Sequence, residues 1–134
     1  MSDARELAEL ISSGEAVPAS GWVAGVSAAL AAALVAKAAK RSEGWSEAAG
    51  CRAQAIDRRD RLLALAAQDS RAYERALAAL DDRDHKLPGA LAKAAEVPLA
   101  IAEASADVAT PEAVATTASS VASRHVVMAA TLWA

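Results

Sequence analysis

The chain has 134 residues, a net charge of −3 at pH 7 and a hydrophobic fraction of 54%, most of it alanine, with no Phe and one Tyr. This length predicts a single domain over residues 1–134, and the slight acidic balance gives no electrostatic reason to expect a nucleic-acid partner. Cys51 is the only cysteine, which excludes an internal disulfide and any spacing typical of a zinc site, so we expect no bound metal.

The chain begins with a short predicted helix at residues 3–12, whose large aliphatic residues share one apolar stripe: Leu7, Leu10 and Ile11. A stretch of Pro, Ser and Gly then leads into residues 22–41, where nearly every side chain is Ala, Gly, Ser or Val. Because Ala is the best helix former, we expect a helix here with Ser20 as its N-cap. The helix is apolar on every side, which predicts the buried central rod of an all-α bundle.

A membrane-spanning helix is the less favoured alternative for this stretch. Residues 16–36 carry no charge and are long enough to cross a bilayer. Spanning helices normally contain many large aliphatic residues, whereas this one is mostly Ala with two Leu and two Gly. The chain also begins with Asp3, Glu6 and Glu9, where a signal peptide would carry a basic segment. We therefore expect a cytoplasmic protein with no membrane partner.

Three more helices follow in the prediction, for a bundle of about five. The third is long and amphipathic, at residues 46–82. The fourth, at residues 87–109, contains Pro98, which is expected to kink or restart it. A Thr-Pro pair then signals a fifth helix at residues 111–132. The fourth helix is predicted to present one face formed by Leu87, Leu91, Ala94, Ile101, Ser105 and Val108.

Asp69 stands out on the third predicted helix. On a wheel of about 100° per residue it falls inside the apolar stripe, which is formed by Leu62, Leu65, Ala66, Tyr73, Ala76, Leu77 and Leu80. Its charged neighbours, such as Arg71, Glu74 and Arg75, lie elsewhere and predict a solvated face with pairs three and four residues apart. A buried carboxylate is costly unless it is paired. Three explanations therefore remain open. Asp69 is bonded to a structural partner, such as an Arg or a helix N-terminus, or it lies at the open end of the stripe, or it is an acid or base whose pKa is raised by burial.

Four segments carry a resemblance to a known family. They are the small-residue helix ending ALAAALVAKAA, and then QDSRAYERAL, ALAKAAEVPLAIAEAS and TPEAVA. Their order and approximate spacing, from about residue 5 to residue 133, resemble the formiminotransferase-cyclodeaminase C-terminal family, and residues 96–104 are the most distinctive piece. The resemblance implies an all-α homodimer with a folate pocket between helices near the subunit interface. It also implies cyclodeaminase or cyclohydrolase chemistry on a tetrahydrofolate derivative.

The resemblance further implies which residues form the site. Laid against the family's Gly-rich PGGGS entry, residues 18–22 read PASGW, which makes Ser20, Gly21 and Trp22 candidate ligand-binding residues. Asp69 falls where the family has an acid, and Tyr73 matches its aromatic residue four positions on. The chain also departs from the family at two positions. Lys40 stands where the family usually has an Asn at the end of the central helix, and Thr116 stands where it usually has an Asp after a late turn.

Two of the candidate ligand-binding residues have competing explanations. Trp22 either stacks on a pterin ring or simply packs against the helices around it. Lys37 either pairs with Asp69 or with the glutamate tail of a folate, or is a solvated cation near the end of its helix.

Three hypotheses about function follow. In the first, the protein is a divergent cyclodeaminase or cyclohydrolase that acts on a tetrahydrofolate or a similar heterocycle, with Asp69 as acid or base. It predicts a ligand-sized pocket that contains Asp69 and Trp22. In the second, the protein is a non-catalytic dimeric binding module, in which Trp22 fills the pocket and Asp69 is bonded to a structural partner. In the third, the altered Gly-rich entry and the Thr116 position reshape the site for a different small-molecule reaction.

Overall fold

The computed structural model describes residues 3–42, 44–81 and 86–108. These ranges contain four α-helices and no strand: α1 at Ala4–Ser12, α2 at Ser20–Arg41, α3 at Ala48–Asp81 and α4 at Leu87–Val108. The predicted all-α class is therefore confirmed, and each of the first four predicted helices has a counterpart. The fifth predicted helix, at residues 111–132, and Thr116 lie outside the described residues.

The start of α2 differs from the prediction. Its N-cap is Ala19, in an extended conformation with φ −66° and ψ 150°, and Ser20 is already the first helical residue. The prediction of Ser20 as the N-cap is therefore wrong. Because Ala19 has no side-chain oxygen, α2 receives no capping hydrogen bond from its own N-cap residue. In α1, by contrast, the carboxylate of Asp3 accepts a hydrogen bond from the backbone N–H of Arg5 at 3.1 Å.

The core lies where α2, α3 and α4 pack together, and it is built largely from alanine. One face of α2 is buried there, and it consists of Gly25, Ala28, Ala29, Ala32, Val35, Ala36, Ala38 and Ala39. The largest fully buried side chain in the described ranges is that of Leu62 on α3. The two leucines of α2 lie on the outer side instead, where Leu30 is 63% exposed and Leu34 is 42% exposed. Within the described part of the chain, α2 is thus buried on one side rather than surrounded.

The length and composition of α2 satisfy the usual test for a membrane-spanning helix, with a mean hydropathy of 1.7 over its most apolar stretch. In the structure, 44% of that stretch is buried inside the protein. Core helices of folded domains pass the same test, so α2 by itself gives only weak evidence for a membrane span.

Glycine allows α2 and α3 to approach closely. A Cβ atom placed on Gly25 would lie 2.9 Å from the Cβ atom of Ala66 and 3.4 Å from Cδ1 of Ile101 on α4. Real Cβ contacts are longer than the first of these distances. The three helices therefore meet at a point where only a hydrogen atom fits between them.

The stripe predicted on α3 is confirmed near the middle of that helix, because Leu62, Ala66, Asp69 and Ala76 are all buried. Leu80 is 57% exposed, so the prediction fails at this end. Gly21, in the first turn of α2, packs against Asp69 on α3. Leu80 follows Asp69 by 11 residues, so it lies about 16 Å further along α3, beyond the start of α2. The helix that covers Asp69 does not extend far enough to cover Leu80.

The fourth helix runs without interruption from Leu87 to Val108 and includes Pro98, so it does not restart there. Its buried residues are Val97, Ile101, Ala104 and Val108. Leu91, which was predicted on the same face as Ile101 and Val108, is 52% exposed.

The short helix α1 has no buried residue, although its apolar stripe has the predicted spacing. Leu7, Leu10 and Ile11 are 36%, 49% and 40% exposed. The stripe is thus not covered by the residues that the structure describes.

Candidate functional site

Asp69 lies on α3 opposite the first turn of α2, and it is only 4% exposed. A Cβ atom placed on Gly21 would lie 2.5 Å from Cγ of Asp69, so the carboxyl group rests directly on the Gly21 backbone. Any side chain at this position would occupy the space of the carboxyl group. Gly21 and Asp69 therefore depend on each other, although they lie 48 positions apart in the chain.

The backbone N–H of Trp22 donates a hydrogen bond to the Asp69 carboxylate. Trp22 is the third residue of α2, and its N–H is one of those that a helix leaves without a partner at its N-terminus. A capping side chain normally bonds to this position, so Asp69 performs from α3 the role that Ala19 cannot perform. The positive end of the helix dipole also favours a carboxylate at this point.

Burial raises the pKa of Asp69 above its ordinary value, and the hydrogen bond from Trp22 partly offsets this rise. Among the described residues, Asp69 forms no ion pair. Its structural partner is thus a helix N-terminus rather than an Arg. An acid with a raised pKa can hold or release a proton closer to neutral pH than an exposed Asp does.

A groove of about 720 Å³ opens beside this carboxyl group. It lies between the end of α1, the segment that follows it, the first turns of α2 and the side of α3. Two of its lining residues were predicted from the sequence as ligand-binding residues, Ser20 and Tyr73. The others are Ile11, Gly14, Glu15, Ala16, Pro18, Ala19, Val23 and Ala24. The volume lies in the range of pockets that take small organic ligands.

The structure thus brings together five of the six predicted site residues in two adjacent groups. Asp69, Gly21 and Trp22 form a buried contact, while Ser20 and Tyr73 line the open groove. Neither Asp69 nor Trp22 lines that groove, so the predicted pocket containing both of them is not seen as such. Trp22 is half-buried at the start of α2.

Lys37, the sixth predicted site residue, lies away from the other five. It is exposed and follows Gly21 by 16 residues on the same helix, which is about 24 Å along the helix axis. Within one chain it cannot reach Asp69, so the predicted pairing of Lys37 with Asp69 does not form. Its place near the C-terminal end of α2 suits a solvated cation that interacts with the helix dipole.

Sequence reasoning missed the contribution of the segment before α2. Ile11 was assigned to an apolar stripe, and nothing in the sequence marked Glu15 or Ala16 as groove-lining residues. In the described ranges, no group of three or more His, Cys, Asp or Glu side chains is placed to hold a metal ion. Cys51 is a free thiol whose pKa is raised by burial, as expected for a small apolar residue beside the core.

The sequence profile of the formiminotransferase-cyclodeaminase family matches residues 3–134. The chain belongs to this family. No curated protein and no solved structure matches the chain. Membership in the formiminotransferase-cyclodeaminase family makes the chain a folate-related, cyclodeaminase-like domain. The glycine that the chain keeps from the Gly-rich entry, Gly21, is the one against which the Asp69 carboxyl group packs.

Proposed function

We propose that this protein binds a tetrahydrofolate derivative or a similar heterocycle in the groove beside Tyr73 and acts on it as a cyclodeaminase or cyclohydrolase. Asp69 serves as the acid or base. In cyclodeamination it donates a proton to the departing amine, and in cyclohydrolysis it accepts a proton from the attacking water. The family membership supports the folate class of substrate.

The observation that carries this proposal is the burial of Asp69 next to a ligand-sized groove. Tyr73 lies one helical turn after Asp69 on α3, and Ser20 directly precedes Gly21 on α2. A ligand that lies against Ser20 and Tyr73 therefore contacts the chain neighbour of Gly21 and the residue one helical turn from Asp69. Burial also raises the pKa of Asp69, which suits a group that must exchange a proton near neutral pH.

A second candidate function is a binding module without catalysis, and one specific observation favours it. Asp69 is 4% exposed and is already bonded to the N-terminus of α2, which is a complete structural role. Catalysis requires the carboxyl group to reach the reacting atoms, so the residues that bury Asp69 must move when the substrate binds. A binding module needs no such movement.

Turnover and binding assays on matched variants separate the two candidates. Consumption of methenyltetrahydrofolate and of formiminotetrahydrofolate is followed for the wild type, Asp69→Asn and Asp57→Asn. Asp57 is an exposed residue on the same helix, which makes it the control for the loss of one carboxylate. We expect Asp69→Asn to reduce the rate by about 10²- to 10⁴-fold and Asp57→Asn to leave it unchanged. Saturable binding without turnover by the wild type would establish the binding module, and no binding would contradict both candidates.

We also propose that the protein is a homodimer in the cytoplasm, as expected from the family and the sequence. Exposed aliphatic side chains on α1 and α2 support the dimer, namely Leu7, Leu10, Ile11, Leu30 and Leu34. A core of alanine buries little apolar area per residue, so association adds burial that one chain lacks. Sedimentation velocity should show a dimer that dissociates in the Leu30→Asp, Leu34→Asp double variant. A wild-type monomer at high concentration would contradict this proposal.

A further inference from the structure

A second cleft, of about 250 Å³, lies between α3 and α4 on another side of the protein from the groove. Its lining residues are Gln68, Arg71, Ala72, Arg75, Lys93 and Val97. Tyr73, in the groove, and Arg71, in the cleft, are about 160° apart on the α3 wheel. The cleft is therefore independent of the groove and of the proposed folate chemistry.

The ionisable side chains that line this cleft are all cationic, although the whole chain has a net charge of −3. Arg71 and Arg75 are one turn apart on α3, and Lys93 faces them from α4. Like charges four residues apart on a helix repel each other and destabilise it. Repulsion among the three cations therefore slightly destabilises the protein unless an anion neutralises them.

The sequence predicted a solvated helix face here, with charged pairs three and four residues apart. In the described ranges neither arginine forms an ion pair, with Glu74 or with any other residue. Lys93 does have a partner, because its Nζ atom lies 3.1 Å from a carboxylate oxygen of Glu96. Counting this pair as neutral leaves the cleft with about two uncompensated positive charges.

The shape of the cleft limits the size of a ligand. Its floor is formed by Ala72 and Val97, which are each 6% exposed, while the cationic side chains stand around the rim. A volume of about 250 Å³ lies below the range of pockets for drug-sized molecules and suits a small group. Guanidinium groups bind carboxylates and phosphates through two parallel hydrogen bonds, and the amide of Gln68 adds a further donor.

We infer that the cleft between α3 and α4 binds a compact dianionic group, a phosphate or a dicarboxylate, through Arg71, Arg75 and Lys93. Two unpaired guanidinium groups match a charge of −2, and the facing lysine closes the other side. Glu96 competes with the anion for Lys93, so the two arginines provide most of the affinity.

The test is a titration of ¹⁵N-labelled protein, followed by two-dimensional NMR, with sodium phosphate and separately with sodium malonate at constant ionic strength. The variants are Arg71→Gln and Arg75→Gln. The control is Arg52→Gln, because Arg52 is an exposed arginine on the same helix, about 28 Å from Arg71.

We expect saturable shifts confined to residues 68–75 and 93–97, with a dissociation constant about tenfold higher in each cleft variant, which corresponds to about 1.4 kcal/mol. The control should bind as the wild type does. Saturation by either anion supports the inference, and the tighter of the two identifies the ligand as a phosphate or a dicarboxylate. Non-saturable shifts, or equal affinities in Arg71→Gln, Arg75→Gln and Arg52→Gln, would overturn it.

Discussion

The contact between Gly21 and Asp69 can be tested by adding one methyl group. In Gly21→Ala the new Cβ atom would lie 2.5 Å from Cγ of Asp69, closer than real Cβ contacts are found. Asp69 is short and 4% exposed, so its carboxyl group has little room to move aside. Moving it breaks the hydrogen bond from the backbone N–H of Trp22 and leaves the start of α2 without a cap.

The expected loss of stability follows from two opposing terms. A hydrogen bond to a charged group contributes about 1.5–3 kcal/mol to stability. Replacing Gly by Ala inside a helix gains about 0.5–1 kcal/mol, because Ala loses less backbone entropy on folding. The net effect of Gly21→Ala should therefore be a decrease of about 1–2 kcal/mol in the free energy of unfolding.

Gly50→Ala is the matched control. Gly50 also lies in the first turn of a helix, α3, and a Cβ atom there would meet no atom within 4 Å. Urea unfolding should show Gly50→Ala to be more stable than the wild type and Gly21→Ala to be less stable. In an Asp69→Ala background the cost of Gly21→Ala should disappear, which a double-mutant cycle measures as coupling. If Gly21→Ala instead behaved like Gly50→Ala, the contact between Gly21 and Asp69 would be refuted.

Three further predictions concern the core and the titration of Asp69. Gly25→Ala should destabilise the protein by about 1–3 kcal/mol in urea unfolding, because its methyl group would overlap with Ala66; a neutral effect would contradict the close approach of α2 and α3. Leu62→Ala should lower the free energy of unfolding by about 2–5 kcal/mol. Leu63→Ala should lower it by less, because Leu63 is 45% exposed, and equal losses would contradict the burial of Leu62 in the core. Burial raises the pKa of Asp69 in the folded state, so the folded protein binds more protons than the unfolded chain between the ordinary pKa of 3.8 and the raised one. The free energy of unfolding of the wild type should therefore fall relative to that of Asp69→Asn as the pH rises through that window. If unfolding experiments across this pH range showed it to rise instead, the pKa of Asp69 would be lowered and not raised.

Much of the fold could be predicted because it depends on local pattern. Helix propensity and breaker residues gave helix bounds within two residues of those of α2 to α4 in the structure. The wheel also predicted the burial of Asp69, because its neighbours on that face of α3 are apolar. Both signals are contained within single helices.

The rest depended on contacts between helices, which local pattern does not contain. A helix that is apolar on all sides has no polar face to set its orientation, so the outward positions of Leu30 and Leu34 could not be predicted. The contact of Asp69 with Gly21 joins positions far apart in the chain. The distance of Lys37 from Asp69 depends on how α2 and α3 align, which no spacing in the sequence specifies.

The proposed function depends on the binding of a folate in the groove beside Asp69. It is tested most directly by calorimetric titration of the wild type and of Tyr73→Ala with a stable tetrahydrofolate analogue. Tyr73 lines the groove and is half-buried, so circular dichroism must first show that the variant is folded. We expect saturable binding of one ligand per chain, weakened in Tyr73→Ala. A flat titration of the folded wild-type protein would contradict it.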